Sequence, residues 1–327
     1  MTTKKDIKLM VKLLKMNESK IGSYLIKEIG KEFINVKVCK SMYIFMDNCA
    51  DVTLVAHLDT VLKKPLDKVV ITDINNKIII SSGQDSPLGA DDRAGVYTIL
   101  KMVDRMKVDK KLRFNVLFTY GEEVGAIGAS KFVEDIKLDS KLCIEFDKAG
   151  LHNVACVYDD GNDDFVDFLE GQGFEMVGGS FTDICKIQVA NGISSVNLSA
   201  NYYHQHTNKE YVVLTDIPAT VEMAVSLTKT VDKTFPFKYK AFIYNYNYSY
   251  DYNYDSETLD YHLYVIRVIN HSNGKMTSEE IFLTLDEALD YAEELKSSLL
   301  ATEYISIGMT DAGYDIQHEL VTEIMTF

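Results

Sequence analysis

The chain has 327 residues, 46% of them hydrophobic and 25% charged, with a formal net charge of −15 at pH 7. Such proportions belong to a globular protein with room for one large domain and a smaller one. The acidic balance and the lack of a basic block argue against binding to nucleic-acid phosphates, and no apolar run approaches the ~20 residues of a membrane span.

Cys39, Cys49, Cys143, Cys156 and Cys185 are scattered, odd in number and without a CxxC pair. They read as reduced thiols of a cytoplasmic protein. The N-terminal stretch lacks the uninterrupted apolar run of a secretory signal. Ile7, Met10, Val11 and Leu14 recur at helical spacing, as do Ile21, Tyr24, Leu25 and Ile29, with Gly30 as a stop. Strands are expected at 35–39, 42–46 and 52–56, the last running into His57-Leu58-Asp59-Thr60. Segments 68–72 and 77–81 read as a hairpin through Asp73-Ile74-Asn75-Asn76.

Leu88-Gly-Ala-Asp-Asp-Arg-Ala-Gly95 then opens a helix expected from about Asp92 to Met106. A buried strand over 112–119 ends at Tyr120-Gly121-Glu122-Glu123, and another over 142–146 ends at Asp147. Helices are expected at 127–133, 163–169, 182–189 and 216–231, and a strand at 193–198 leads to Tyr202-Tyr203-His204-Gln205-His206. Alternating buried strands and covering helices predict an α/β layered domain over 1–234. The polar motifs follow strand C-termini, where open α/β sheets bind ligands.

After Lys233 the composition changes. Segment 235–258 is rich in Tyr, Asn and Asp, and reads as a linker or as an extended strand with one aromatic face. From 259 to 327 a small α+β domain is expected. Its elements are a strand at 261–269, a turn at Asn273-Gly274, a strand at 280–283, a helix from Thr284 to about Leu300, and strands at 304–308 and 314–319.

Each chemical motif has a plain structural alternative. Asp91 is an acceptable helix N-cap, but adjacent Asp91 and Asp92 are costly as bare like charges, and a cation beside one of them would relieve that cost. Gly89 and Gly95 would let the backbone turn and approach closely. His57-Leu58-Asp59 places a carboxylate on the same side as an imidazole, able to hold the ring in a ligating tautomer. Glu122 and Glu123 are either exposed loop acids or a pair that divides labour, one on a metal and one free as general base. Asp147 is a further strand-end acid, with Glu145 the competitor on its side of the strand. His206 is a second imidazole, with Glu210 four residues on and His204 as the alternative ligand. Together these supply two histidines, three metal-type carboxylates and one spare glutamate, the inventory of a two-metal hydrolytic site. Zinc suits mixed histidine and carboxylate ligands, with cobalt or manganese as substitutes.

His57-Leu58-Asp59-Thr60, Gly89-Ala90-Asp91-Asp92-Arg93-Ala94-Gly95, Gly121-Glu122-Glu123-Val124-Gly125, Glu145-Phe146-Asp147 and His206-Thr207-Asn208-Lys209-Glu210 stand in an order and spacing that resembles the co-catalytic zinc exopeptidases. That superfamily includes peptidase T-like tripeptidases, carboxypeptidase G-like enzymes, zinc aminopeptidases and related amidohydrolases. The resemblance covers about residues 5–232. It implies a three-layer mixed β-sheet with helices on both faces. It implies one zinc on His57, Asp91 and Asp147, and a second on Asp91, Glu123 and His206. Glu122 would be the general base toward a zinc-bridging hydroxide, and Asp59 the orienter of His57. The implied activity is an aminopeptidase or small-peptide exopeptidase. The alternatives are an N-acyl amidohydrolase acting on acylated amino acids at the same site, and an inactive binding scaffold. The stretches 59–91 and 147–206 are too short for the second domain that many such enzymes insert, so homo-oligomer assembly or substrate gating would fall to the C-terminal domain, with partner binding as the alternative. Gly178-Gly179-Ser180-Phe181-Thr182-Asp183 resembles a substrate-proximal loop and reads equally as a turn with Thr182 or Asp183 as N-cap.

Overall fold

The computed structural model describes residues 2–158 and 162–237, and beyond them the backbone of four strands. The chain divides into two compact units, Met1–Lys240 and Ala241–Phe327.

Helices of the first unit are α1 (Lys4–Leu14), α2 (Glu18–Ile29), α3 (Ala90–Val108), α4 (Ile127–Asp135), α5 (Asp163–Gly171), α6 (Asp183–Asn191) and α7 (Ile217–Thr230). Its strands are β1 (Asn35–Cys39), β2 (Tyr43–Asp47), β3 (Val52–His57), β4 (Val70–Ile74), β5 (Lys77–Ser81), β6 (Asn115–Thr119), β7 (Leu142–Lys148), β8 (Val154–Val157), β9 (Glu175–Met176), β10 (Ser195–Ser199), β11 (Tyr202–Tyr203) and β12 (Tyr211–Val213). The helices and strands expected up to Val231 all form, with ends displaced by a few residues. The short strands β8, β9, β11 and β12 were not expected; they are too brief for an alternating pattern to stand out.

An eight-stranded mixed sheet runs in the order β1-β2-β6-β3-β7-β10-β8-β9. Its centre, β6-β3-β7-β10, is parallel. Strand alternation divides the apolar residues between two faces. Leu54, Ala56, Val116, Phe118, Ile144 and Phe146 pack with α1, α2, α3 and α7, while Val55, Leu117 and Cys143 pack with α4 and α6. Both faces of the parallel centre are thereby covered, as such sheets require. By the same alternation His57, Thr119, Glu145 and Asp147 lie toward the α4 and α6 face.

Two local devices bring α3 to the strand ends. Gly89 adopts left-handed dihedrals (φ 70°) that a side chain would disfavour. A Cβ at Gly95 would lie 2.1 Å from the Phe146 carbonyl oxygen, so only glycine lets α3 approach β7 this closely. At the N-terminus, Thr3 and Asp6 cap α1 reciprocally, fixing the helix that buries Met10, Leu13 and Leu14.

A second, four-stranded antiparallel sheet has the order β11-β12-β5-β4. The expected hairpin forms its β4–β5 half, turning at Asn75 and Asn76, whose φ angles of 52° and 65° asparagine tolerates. The other half, β11 and β12, brackets the turn that bears His206.

In the second unit β13 (His262–Asn270), β14 (Met276–Phe282), β15 (Glu303–Asp311) and β16 (Thr322–Thr326) form an antiparallel sheet in the order β14-β13-β15-β16. The strand at Thr322–Thr326 was not expected. The Tyr-rich run, the Asn273-Gly274 turn, the helix from Thr284 and the strand over 314–319 lie outside the described residues. Among the described residues no helix is long and apolar enough to cross a membrane.

Candidate metal centre

β3, β6 and β7 end at the same edge of the sheet, and the start of α3 and the β11–β12 turn reach over it. His57, the last residue of β3, is fully buried. Its Nε2 lies 3.0 Å from Asp91 Oδ1, 3.5 Å from Asp147 Oδ1 and 4.0 Å from Glu122 Oε2. On the other side of Asp91, His206 Nε2 lies 3.1 Å from Asp91 Oδ2 and 3.0 Å from Glu123 Oε2. Each oxygen of Asp91 therefore faces a different imidazole.

Two groups of donor atoms result, His57 with Asp91 and Asp147, and Asp91 with Glu123 and His206; within each, the donor atoms lie within 4.8 Å of one another. Glu122 belongs to neither group and keeps a free carboxylate at their edge. Glu145 and His204 also stand outside both groups. Glu145 is buried, and neither carboxylate oxygen has a hydrogen-bonding partner among the described residues. Its pKa is pushed well up by burial and by the charges of Asp147, Asp183 and Glu122. The His204 ring packs near Tyr211, 5.8 Å between centroids.

The charges test whether cations fit this place. Like charges about 4 Å apart repel by roughly 4 kcal/mol at an effective dielectric near 20, so several bare carboxylates cannot all stay ionised together. Burial and then the charge of Asp91 raise Asp147 to about 6 and Glu123 to about 7. Burial, with Asp147, Asp183 and Asp91 adding to it against His57, raises Glu122 to about 9. Its hydrogen bond to Asp91 lifts His206 to about 9. Burial pushes Asp91 upward, but hydrogen bonds from His206 and His57 win and hold it well below the usual carboxylate range. Without cations the protein must hold protons here. Hard oxygen and imidazole nitrogen donors clustered in this way suit divalent ions such as zinc, which would relieve the repulsion.

Surrounding side chains set the orientation of the donors. Asp59 faces His57 Nδ1 at 3.5 Å, longer than a hydrogen bond, and its carboxylate accepts the N–H groups of Glu122 (3.3 Å) and Glu123 (3.2 Å). It braces the glutamate loop as well as facing the ring. Asp92 is buried; it accepts the Gly95 N–H at 2.8 Å and the His57 N–H at 3.2 Å, capping the helix and tying it to β3. The backbone kinks at Asp91 and Asp92, so the regular helix begins after them; Asp92 takes the capping bond from Gly95, while the oxygens of Asp91 face the two imidazoles, so Asp91 is not the N-cap.

Three side chains hold Asp147, and no sequence signal ties them to it. Tyr202 Oη donates to its Oδ1 at 3.0 Å, Thr182 Oγ1 to its Oδ2 at 3.1 Å, and Asn197 exchanges hydrogen bonds with its backbone. Thr182 is the residue before α6, but its hydroxyl serves Asp147 and does not cap the helix. Asp183, also fully buried, accepts from the Thr119 hydroxyl, and burial raises its pKa to about 7. Tyr202 and Asn197 are single polar residues without a spacing signal, whereas Thr182 and Asp183 lie in the 178–183 motif, which the sequence marks as a loop or a cap and not as the support of Asp147. Glu210 did carry a spacing signal, four residues beyond His206, and it accepts backbone N–H groups from the Asp91 loop.

Comparison with solved structures decides the fold. A tripeptidase of Staphylococcus aureus superposes with a TM-score of 0.54 over 68% of this chain and 97% of that one, at 14% identity. The aminopeptidase PepT of Bacillus cereus gives the same values. The fold of this chain is the one these two peptidases share. The TET1 peptidase of Pyrococcus horikoshii, which can assemble into a tetrahedron or a large octahedral shell, shares this fold with a TM-score of 0.53 over 69% of this chain and all of its own, at 17% identity. Residues 67–159 match the sequence model of the M42 glutamyl aminopeptidase family. That stretch holds Asp91, Glu122, Glu123 and Asp147, while both histidines lie outside it. No curated protein sequence matches the chain.

Proposed function

We propose that residues 1–234 form a metal-dependent exopeptidase domain, with aminopeptidase action on small peptides as the leading activity. The observation that carries this reading is Asp91, whose two oxygens face two imidazoles 3.0 and 3.1 Å away. His57, Asp91 and Asp147 would hold one ion and Asp91, Glu123 and His206 the other, zinc above all, with cobalt or manganese as substitutes. When bound, a pair of such ions lowers the pKa of water and polarises a carbonyl. The remaining work falls to the chain. Glu122, free of both ligand groups and made more basic by burial and its acidic neighbours, accepts the proton of the attacking water and returns it to the leaving amine. Asp59 holds the Glu122–Glu123 backbone and faces the ring of His57. Tyr202 and Thr182 keep Asp147 from rotating away.

Glu122→Gln provides the test. The variant is expected to bind zinc as the wild type does while losing turnover by roughly 10³-fold or more. Unchanged turnover, or loss of metal along with activity, would remove Glu122 from this role. A substrate panel of aminoacyl, dipeptide and N-acyl compounds separates the peptidase from an amidohydrolase on the same site. Absence of hydrolysis across the panel would favour a binding scaffold. Homo-oligomeric assembly, expected through the C-terminal domain, belongs to the same proposal; the TET1 peptidase is one protein of this fold that assembles, and solution mass tests assembly here. A cytoplasmic location fits cysteines that are scattered, odd in number and without a CxxC pair.

A further inference from the structure

Glu210 is 1% exposed and lies outside both ligand groups. Its Oε2 accepts the N–H of Leu88 at 2.8 Å and of Gly89 at 2.9 Å, and its Oε1 accepts the N–H of Asp91 at 3.0 Å. All three donors belong to the loop that presents Asp91. That loop cannot satisfy them itself. Gly89 is left-handed, Asp91 has non-helical dihedrals (φ −77°, ψ 103°), and the first N–H groups of a helix have no partner within it.

The other end of Glu210 closes the turn that presents His206. The Glu210 N–H donates to the Thr207 carbonyl at 3.1 Å, and the Thr207 hydroxyl donates to the His204 carbonyl at 2.7 Å. His206 has φ 62°, a conformation that disfavours side chains and persists only where neighbouring contacts hold it. One carboxylate thus joins the Asp91 loop to the His206 turn, although 119 residues separate Glu210 from Asp91 in sequence.

We infer that Glu210 is a positioning residue that sets Asp91 against His206 in advance of any metal, so that the second ligand group depends on it more than the first. The first group has independent support: His57 and Asp147 lie on paired strands, and Tyr202 and Thr182 hold both oxygens of Asp147. The second has only the Glu122–Glu123 loop and the His206 turn. Glu210 touches neither metal nor substrate and acts through backbone amides.

This inference rests on the two-metal reading. Its test is zinc titration of the metal-free full-length protein, Glu210→Gln and Glu210→Asp by competition with a chromophoric chelator, with circular dichroism to check the fold. Glutamine turns an amide N–H₂ toward the backbone donors, and aspartate is one methylene too short to span them. The wild type is expected to take up two equivalents. In both variants the weaker equivalent should lose affinity by about 10- to 100-fold while the tighter one changes little. Wild-type affinity at both sites in folded variants, or an equal loss at both, would overturn the inference. If neither variant folds, amide hydrogen exchange in the metal-free wild type decides. The Leu88, Gly89 and Asp91 amides should be protected like the core of α3, and exchange at open-loop rates would refute the clamp. Failure of the wild type to take up zinc would overturn the two-metal reading instead, and exchange would still decide whether Glu210 holds the loop.

Discussion

The two ligand groups share Asp91 but are built from different kinds of structure. The first stands on strand ends: the His57 side chain is 0% exposed and that of Asp147 8%. The second stands on loops, and its His206 side chain is 47% exposed. Ladder hydrogen bonds and core packing position the first group, so it shares the stability of the sheet. Specific polar contacts made by few residues position the second. A strand-borne site is rigid and closed, whereas a loop-borne site is open to a ligand and easier to disorder.

The largest effect should come from removing what the two share. Asp91→Asn withdraws charge from both groups at once, and is expected to abolish both zinc equivalents and lower turnover by at least about 10³-fold. Retention of one tight equivalent would show that Asp91 serves a single group.

The comparison itself is broken by the two histidines. His57→Ala empties a fully buried position and leaves Asp59, Asp91 and Asp147 without their imidazole, so the metal-free protein should lose roughly 2 kcal/mol or more. His206→Ala, which removes half-exposed contacts to Asp91 and Glu123, should lower the metal-free melting temperature by clearly less than His57→Ala and retain one zinc equivalent. Equal melting losses in the two variants would erase the distinction between strand-borne and loop-borne groups.

A smaller and more diffuse effect is expected from pH. Asp147 at about 6, Glu123 and Asp183 at about 7, and Glu122 and His206 at about 9 all titrate above their ordinary values in the metal-free fold. The folded state then binds more protons than the unfolded chain across this range, so stability falls as pH rises. Asp59 and Asp91 are shifted downward, and their opposite contribution is complete above the ordinary carboxylate range. The metal-free protein should therefore melt lower at about pH 9 than at about pH 6, and saturating zinc should flatten the dependence. A melting temperature that rises over this interval without metal would contradict the assigned shifts.

Much of the fold was legible because its signals are local. The helical spacing of Met10 and Leu14, the apolar run of β6 and the Asn75-Asn76 turn each need only a few neighbours to be read. His57, Glu123 and Asp147 were legible because they follow strong strands, and Asp91 because it precedes a helix, whereas His206 was legible only from its residue type and the Glu210 four residues on. What stayed hidden depends on distant contacts. The pairing of β12 with β5, which carries the His206 turn to the second sheet, joins Tyr211 to Ser81 and leaves no local mark. Thr182 would be a conventional cap in isolation; only the folded chain places Asp147 where its hydroxyl can reach it.

The sequence by itself determined the layered α/β class, the acidic and histidine residues available for a metal, and their order along the chain. These follow from side-chain periodicity and donor chemistry, which are properties of short segments. Only the tertiary structure decided which donors meet. It set Asp91 with one oxygen toward His57 and the other toward His206, left Glu145 and His204 outside both groups, and gave Glu210 the backbone of the Asp91 loop. Strand order and loop closure bring together residues that are remote in sequence, and no local pattern encodes a distance between them.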